Sequence, residues 1–165
     1  MPFLYPVCAR EGDVWELRLL GDARSARRFS ARILRLCVEK GFSVTRAEEV
    51  RTAVSEAFSN ALRHGHGGHP DLPILVRAWE DGEALFVEVQ DGGRGIREVP
   101  PLPDLSRKMA GQERPSGWGV SLMRSFATEV TFIIRRPTGH LVRLRFEPEA
   151  PNSPVTPTIL TVEGE

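Results

Sequence analysis

Three short stretches of this chain carry residue types that can do chemistry. In Glu56-Ala57-Phe58-Ser59-Asn60 a carboxylate and an amide stand four residues apart. On a helix, at about 100° per residue, they fall on one line. Val50, Ala53, Val54, Ala57 and Ala61 form an apolar stripe beside that line, so both polar groups can look into a cleft at the edge of a core. The second stretch, Asp91-Gly92-Gly93-Arg94-Gly95-Ile96, follows a strand pattern. Its glycines let the backbone approach a ligand closely, and an aspartate at a strand end is a good acceptor. The third, Gly117-Trp118-Gly119-Val120-Ser121-Leu122-Met123, opens a helix, where free N–H groups make an anion site suited to phosphate. Taken singly, each has an ordinary structural reading: an exposed polar face, a glycine turn, a helix breaker.

The elements that must position these residues follow from periodicity. Val14 to Leu20 alternates as a first strand. Ala26, Phe29, Ile33, Leu36 and Cys37 recur at three- and four-residue steps, which predicts a helix near 23–40 that stops at Gly41. Thr45-Arg46-Ala47-Glu48 reads as a capping box opening a second helix that runs to about His64. Strands are expected near 73–80 and 84–90, turning at Asp81-Gly82, with Leu85, Val87 and Val89 on one face and Phe86, Glu88 and Gln90 on the other. Residues 97–116 are proline-rich and without period, by expectation a long mobile loop of the kind that is either functional or disordered. A short helix from about Gly119 to Ala127 leads to a hairpin of Val130–Arg136 and Leu141–Phe146, turning at Thr138-Gly139. The tail 148–165, with prolines at 148, 151, 154 and 157, is expected outside the core. The sum is an α+β two-layer sandwich, a mixed and mostly antiparallel sheet with helices on one face.

Composition narrows the function classes. With 165 residues, 41% hydrophobic and 27% charged, the chain can bury a core without staples. Lys+Arg and Asp+Glu balance at 22 each, which gives no general pull toward nucleic acid or anionic lipid. No apolar run approaches the roughly 18 residues of a membrane span, and the first residues do not read as a signal peptide. Cys8 and Cys37 are too few for a disulfide framework, so a cytoplasmic setting is expected. Cys37 lies on the apolar helix face and reads as core. His64, His66 and His69 cluster, but their loop lacks further ligands at metal spacing, and His64 is better read as supporting the helix end. No lysine-bearing P-loop is present, which excludes a Walker-type NTPase.

In this order the three motifs resemble the N, G1 and G2 boxes of the GHKL ATPases, the gyrase, chaperone and histidine-kinase superfamily with the Bergerat ATP-binding fold. The resemblance covers residues 12–147, taken as one ATP-binding domain with 148–165 as a proline-rich tail. It implies ATP and Mg²⁺ as cofactors: Asn60 as the metal ligand, Glu56 as the general base, and Asp91 as acceptor for the adenine amino group. It also implies nucleotide contacts from Gly93, Gly95, Ile96, Arg114, Gly117, Gly119 and Val120, with 97–116 as a lid.

About a dozen residues precede the first expected strand, too few for the dimerisation hairpin of a histidine kinase. Such a free-standing domain is similar to the anti-sigma-factor serine/threonine kinases of partner-switching systems. That likeness implies a homodimer whose partners are a sigma factor and a STAS-domain anti-anti-sigma protein phosphorylated on serine, with no direct contact to nucleic acid or membrane. Alternatives are a STAS-directed switch kinase without sigma binding, or a non-catalytic ATP-gated binding module. One departure stands out: Gly139-His140 occupies a place where the group commonly has Gly-Thr, implying the loss of a phosphate-side hydroxyl.

Overall fold

The computed structural model describes residues 14–65, 71–93, 118–136 and 139–163. Its elements are β1 (Trp15–Leu19), α1 (Ala23–Glu39), α2 (Val44–Asn60), a π-helical turn (Ala61–Gly65), β2 (Ile74–Asp81), β3 (Ala84–Asp91), α3 (Trp118–Phe126), β4 (Glu129–Arg136), β5 (His140–Phe146) and β6 (Thr158–Glu163). The strands form one sheet in the order β1-β2-β3-β5-β4-β6. Every pairing is antiparallel except β4 with β6. This is the α+β two-layer arrangement that the alternating patterns predict.

The helix ends show why these segments fold as they do. Asp22 caps α1, and hydrogen bonds from the Ser25 amide and then its hydroxyl hold the Asp22 carboxyl below the ordinary carboxylate value. At the other end Gly41 takes φ +86°, Phe42 N–H reaches Cys37 O at 2.9 Å, and Gly41 N–H reaches Val38 O at 3.0 Å. This double closure satisfies the last carbonyls and needs a left-handed residue, which glycine supplies. The start of α2 differs from the expected capping box. Ser43, not Thr45, is the cap, and its hydroxyl accepts from the Arg46 N–H at 3.1 Å. The first hairpin also turns one residue later than expected, on Gly82 and Glu83, with Asp81 and Ala84 as the last paired residues.

The core lies between the sheet and the helices. Phe29, Ile33 and Cys37 on α1 are buried one turn apart, and Phe29 meets Phe58 of α2 with ring centroids 5.7 Å apart. From the sheet come Val76, Val87, Val89, Phe132, Leu144 and Phe146. α2 is the central helix, packed on α1, on α3 and on strands β3 and β5. Its first turn is fastened by Arg46, which is only 3% exposed. The guanidinium donates to Phe126 O at the end of α3 (2.7 Å) and to Glu147 O just past β5 (3.0 Å), pairs with Glu49, and lies over the Phe146 ring. On the far face of the sheet Trp79 stacks on Phe86 at 5.2 Å, with Arg143 over Trp79 and Arg145 over Phe86.

The tail departs from expectation. Its prolines end at 157, and the β-branched run that follows adds β6 to the open edge of β4. Val155 N–H donates to Arg124 O and Arg124 Nε donates to Val155 O, both at 2.8 Å. Val155 and Ile159 pack against the core. The strand pairing was masked in the sequence by the proline spacing. Among the described residues no helix is long and apolar enough to cross a membrane.

Two outcomes test this description. Ser43→Ala should cost about 1 kcal/mol in urea unfolding, while Thr45→Ala at its exposed position should change stability by less than about 0.5 kcal/mol. Burial pushes the Cys37 thiol up from 9.0 to about 12. The native state therefore keeps a proton that the unfolded chain releases, and this contribution to stability is lost as pH rises from 9.0 toward about 12. In a Cys8→Ser chain, Cys37 should resist a thiol-reactive dye at pH near 8 until the protein is unfolded.

Candidate functional site

α2 delivers the first motif. Glu56 and Asn60 sit on its last turns, half-buried, one turn apart beside the buried stripe of Ala53, Ala57 and Ala61. They face the start of α3. A β-carbon built on Gly119 would lie 2.7 Å from Glu56 Oε2 and 3.4 Å from Asn60 Oδ1. The backbone of α3 therefore comes close enough that a β-carbon would push the Glu56 carboxylate aside, and it brings the third motif against the first. Gly119 and Val120 are buried, and Met123, one turn on, is fully buried in the core. The result is a cradle with a carboxylate and an amide oxygen on one wall and a helix start on the other. Hard oxygen donors suit a hard cation, and a helix start suits an anion.

After Asn60 the helix widens into the π turn Ala61–Gly65. Such turns add a residue without leaving the helix axis and often occur at functional sites. Here the turn carries Gly65 onto the second motif. A β-carbon on Gly65 would collide with the Asp91 carboxyl group, and one on Gly93 would lie 2.5 Å from Gly65 Cα. Asp91 ends β3 and is 6% exposed. Its Oδ1 accepts from the Gly93 N–H at 2.6 Å, and Gly93 O in turn accepts from the Gly139 N–H at 2.9 Å. The Asp91 carboxylate is thus an acceptor held in place by backbone on two sides.

Of the residues the sequence singles out, the structure brings Glu56, Asn60, Gly119 and Val120 into one group and Asp91 and Gly93 into another. The last turn of α2 and the π turn connect them. Gly95, Ile96, Arg114, Gly117 and the 97–116 loop lie outside the described residues. Two further residues take part, Gly65 and His140. Gly65 closes the stretch Asn60-Ala61-Leu62-Arg63-His64-Gly65, which is similar to the version found in the anti-sigma-factor kinases. His140 is placed differently from the phosphate-side position that the Gly-Thr comparison implies: it lies directly opposite Asp91 in the β3–β5 ladder, with Nδ1 3.4 Å from Asp91 Oδ2. Among the described residues no group of three or more His, Cys, Asp or Glu forms a metal cluster.

The Gly65–Asp91 approach gives a direct test. Gly65→Ala should destabilise the fold by about 1–3 kcal/mol, the usual range for overpacking, and, on the expectation that Asp91 meets the nucleotide base, should weaken ATP binding by displacing that carboxylate. Calorimetric titration with ATP on the folded variant checks the second effect. Wild-type affinity would detach Asp91 from the site.

Comparisons with known proteins bear on the family and the fold. The family model of the histidine kinase-like ATPase domain matches residues 19–146. An anti-sigma F factor of Halalkalibacterium halodurans is 33% identical over 105 residues, covering 59% of this chain and 66% of that protein. An anti-sigma F factor of Clostridium botulinum (strain Eklund 17B / Type B) is 31% identical over 112 residues, covering 62% of this chain and 72% of that protein. The chain thus spans about two thirds of the length of these relatives. In fold it is similar to the structure of the RsbU and RsbW domains of a Mycobacterium tuberculosis protein, with a TM-score of 0.57 at 20% identity, covering 87% of this chain and 34% of that one. The matched region holds every described helix and strand except β6 and all but the last residue of β1, and on that match this chain belongs to the histidine kinase-like ATPase domain family, an ATP-binding fold.

Proposed function

We propose that this chain is an ATP-dependent anti-sigma factor and protein-serine kinase that phosphorylates a STAS-type anti-anti-sigma antagonist. The observation that carries the reading is the glycine contact at the start of α3, where Glu56 and Asn60 stand against Gly119. The relatives named anti-sigma F factor support the choice of partners.

In this reading ATP lies between the two groups of the site. Asp91 accepts a hydrogen bond from the adenine amino group, and Gly93 allows the backbone to approach the base. The amides at Gly119 and Val120, at the helix start, take phosphate oxygens. Asn60 Oδ1 offers the kind of hard oxygen donor that a Mg²⁺ ion requires, and that ion would supply charge neutralisation on the phosphates. The serine hydroxyl of the antagonist enters on the Glu56 side. Its oxygen bonds to the γ-phosphorus as the bond from that phosphorus to the ADP oxygen breaks. The hydroxyl proton passes to the Glu56 carboxylate, leaving phosphoserine and ADP. Positioning supplies most of the rate, and a base typically contributes about 10²–10⁴-fold. A homodimer in the cytoplasm is part of the same proposal.

Glu56→Gln keeps size and hydrogen bonding but cannot accept the proton. It should leave Mg-ATP affinity nearly intact and slow phosphate transfer to a purified STAS-domain protein by at least about 10²-fold. Asn60→Ala should weaken Mg-ATP binding in a folded protein. Equal transfer rates for wild type and Glu56→Gln would remove Glu56 as the base. A wild type that binds ATP and a sigma factor but transfers no phosphate would favour the ATP-gated binding module.

A further inference from the structure

His140 is a buried, chemistry-bearing group that the proposed function does not use. It is 8% exposed, and its ring stacks on Phe132 of β4 with centroids 6.0 Å apart and planes 11° from parallel. Its Nδ1 faces Asp91 Oδ2 at 3.4 Å, while Nε2 is buried without a partner among the described residues. An ionised carboxylate can only accept, so the contact is attractive only with a proton on Nδ1, whatever Nε2 holds. The Asp91 carboxylate then receives one donor on each oxygen: the Gly93 amide on Oδ1 and the His140 imidazole on Oδ2. Gly65 closes a further side by contact. With both oxygens pinned, rotation about the Cβ–Cγ bond is blocked and the lone pairs left for a ligand have a fixed direction.

We propose that His140 is a positioning residue for base selection: by holding Asp91 Oδ2 it fixes the carboxylate as an acceptor for an exocyclic amino group, and so sets the preference for 6-aminopurine over 6-oxopurine nucleotides. This rests on the reading of Asp91 as the residue that meets the base. A purine with a carbonyl at that position presents acceptor to acceptor, and a fixed carboxylate cannot turn away from it. A carboxylate free to rotate discriminates less, because it can re-pair with water. The stacked Phe132 and the cross-strand position opposite Asp91 keep the imidazole in place for this role.

The test uses the full chain and calorimetric titration with Mg-ATP and Mg-ITP, comparing wild type, His140→Leu, His140→Asn and Asp91→Asn. His140→Leu should weaken ATP binding roughly three- to tenfold, the effect of one lost hydrogen bond, and should reduce the ATP-over-ITP ratio. His140→Asn places an amide N–H where Nδ1 stood and should restore both. Independently, ¹⁵N NMR of the wild-type imidazole should show the proton on Nδ1. This measurement, together with His140→Asn, decides the matter if the leucine variant does not fold. A bare Nδ1, a folded leucine variant with wild-type affinity and ratio, or an asparagine variant no better than leucine would each overturn the proposal. If Asp91→Asn also keeps the full ATP preference, the base-reading role of Asp91 has failed and the proposal falls with it. If Asp91→Asn loses the preference while both His140 variants keep it, only the role of His140 has failed.

Discussion

The site depends on two glycines at which backbone comes directly against functional side chains. At Gly119 the start of α3 lies on Glu56 and Asn60, and at Gly65 the π turn lies on the Asp91 carboxyl group. Both contacts originate on one continuous stretch, the last turns of α2 and the turn that follows it. That stretch therefore sets the distance between the two halves of the site. A site held by close backbone contact is more rigid than one held by long side chains, which must lose rotamer freedom to stay in place.

The other end of α2 explains how this positioning is maintained. Arg46 reaches the last carbonyl of α3 and the carbonyl that follows β5, so one buried guanidinium joins three elements near the end of the core remote from Asn60. Its Nη2 has no partner among the described residues, a cost that the other three hydrogen bonds and the Phe146 ring offset. α3 has a second tether in the reciprocal Arg124–Val155 bonds. With its far end held twice and Met123 fully buried, α3 has little freedom to slide, and the position of Gly119 follows from that.

Much of this was legible in residue order. The four-residue spacing of Phe29, Ile33 and Cys37 gave α1, and the alternation of Leu85, Val87 and Val89 gave the buried face of β3. The motif residues Glu56, Asn60, Asp91 and Gly119 were found because helices and strands have fixed periods that place such groups on predictable faces. What was not legible depends on tertiary structure. Ser43 outcompetes Thr45 as a cap because the Gly41 turn delivers the chain to α2 at that residue, a geometry the local sequence does not encode. The π turn has no residue signature. β6 carries a strand pattern, but only the open edge of β4 makes it a strand. His140 becomes a partner of Asp91 through cross-strand register, which brings together residues 49 apart in the chain.

The two carboxylates also explain a division of labour within the site. Asp91 is buried and held by donors, so it suits a neutral, hydrogen-bonding part of a ligand such as a base. Glu56, in the last turns of α2, is half-buried and faces the start of α3, where the aligned peptide dipoles of that helix favour negative charge. A triphosphate arriving at that same helix start would meet the Glu56 charge, and like charges at such range repel strongly in a partly desolvated cleft. Under the proposed function a divalent cation on Asn60 would screen this repulsion, so that phosphate and carboxylate could share the cradle at little cost to affinity. Asn60, neutral and one turn further along, adds an oxygen donor without adding to the repulsion. An aspartate there would bind the cation more tightly but would increase the negative charge facing the phosphates, which gives a physical reason for an amide at this position.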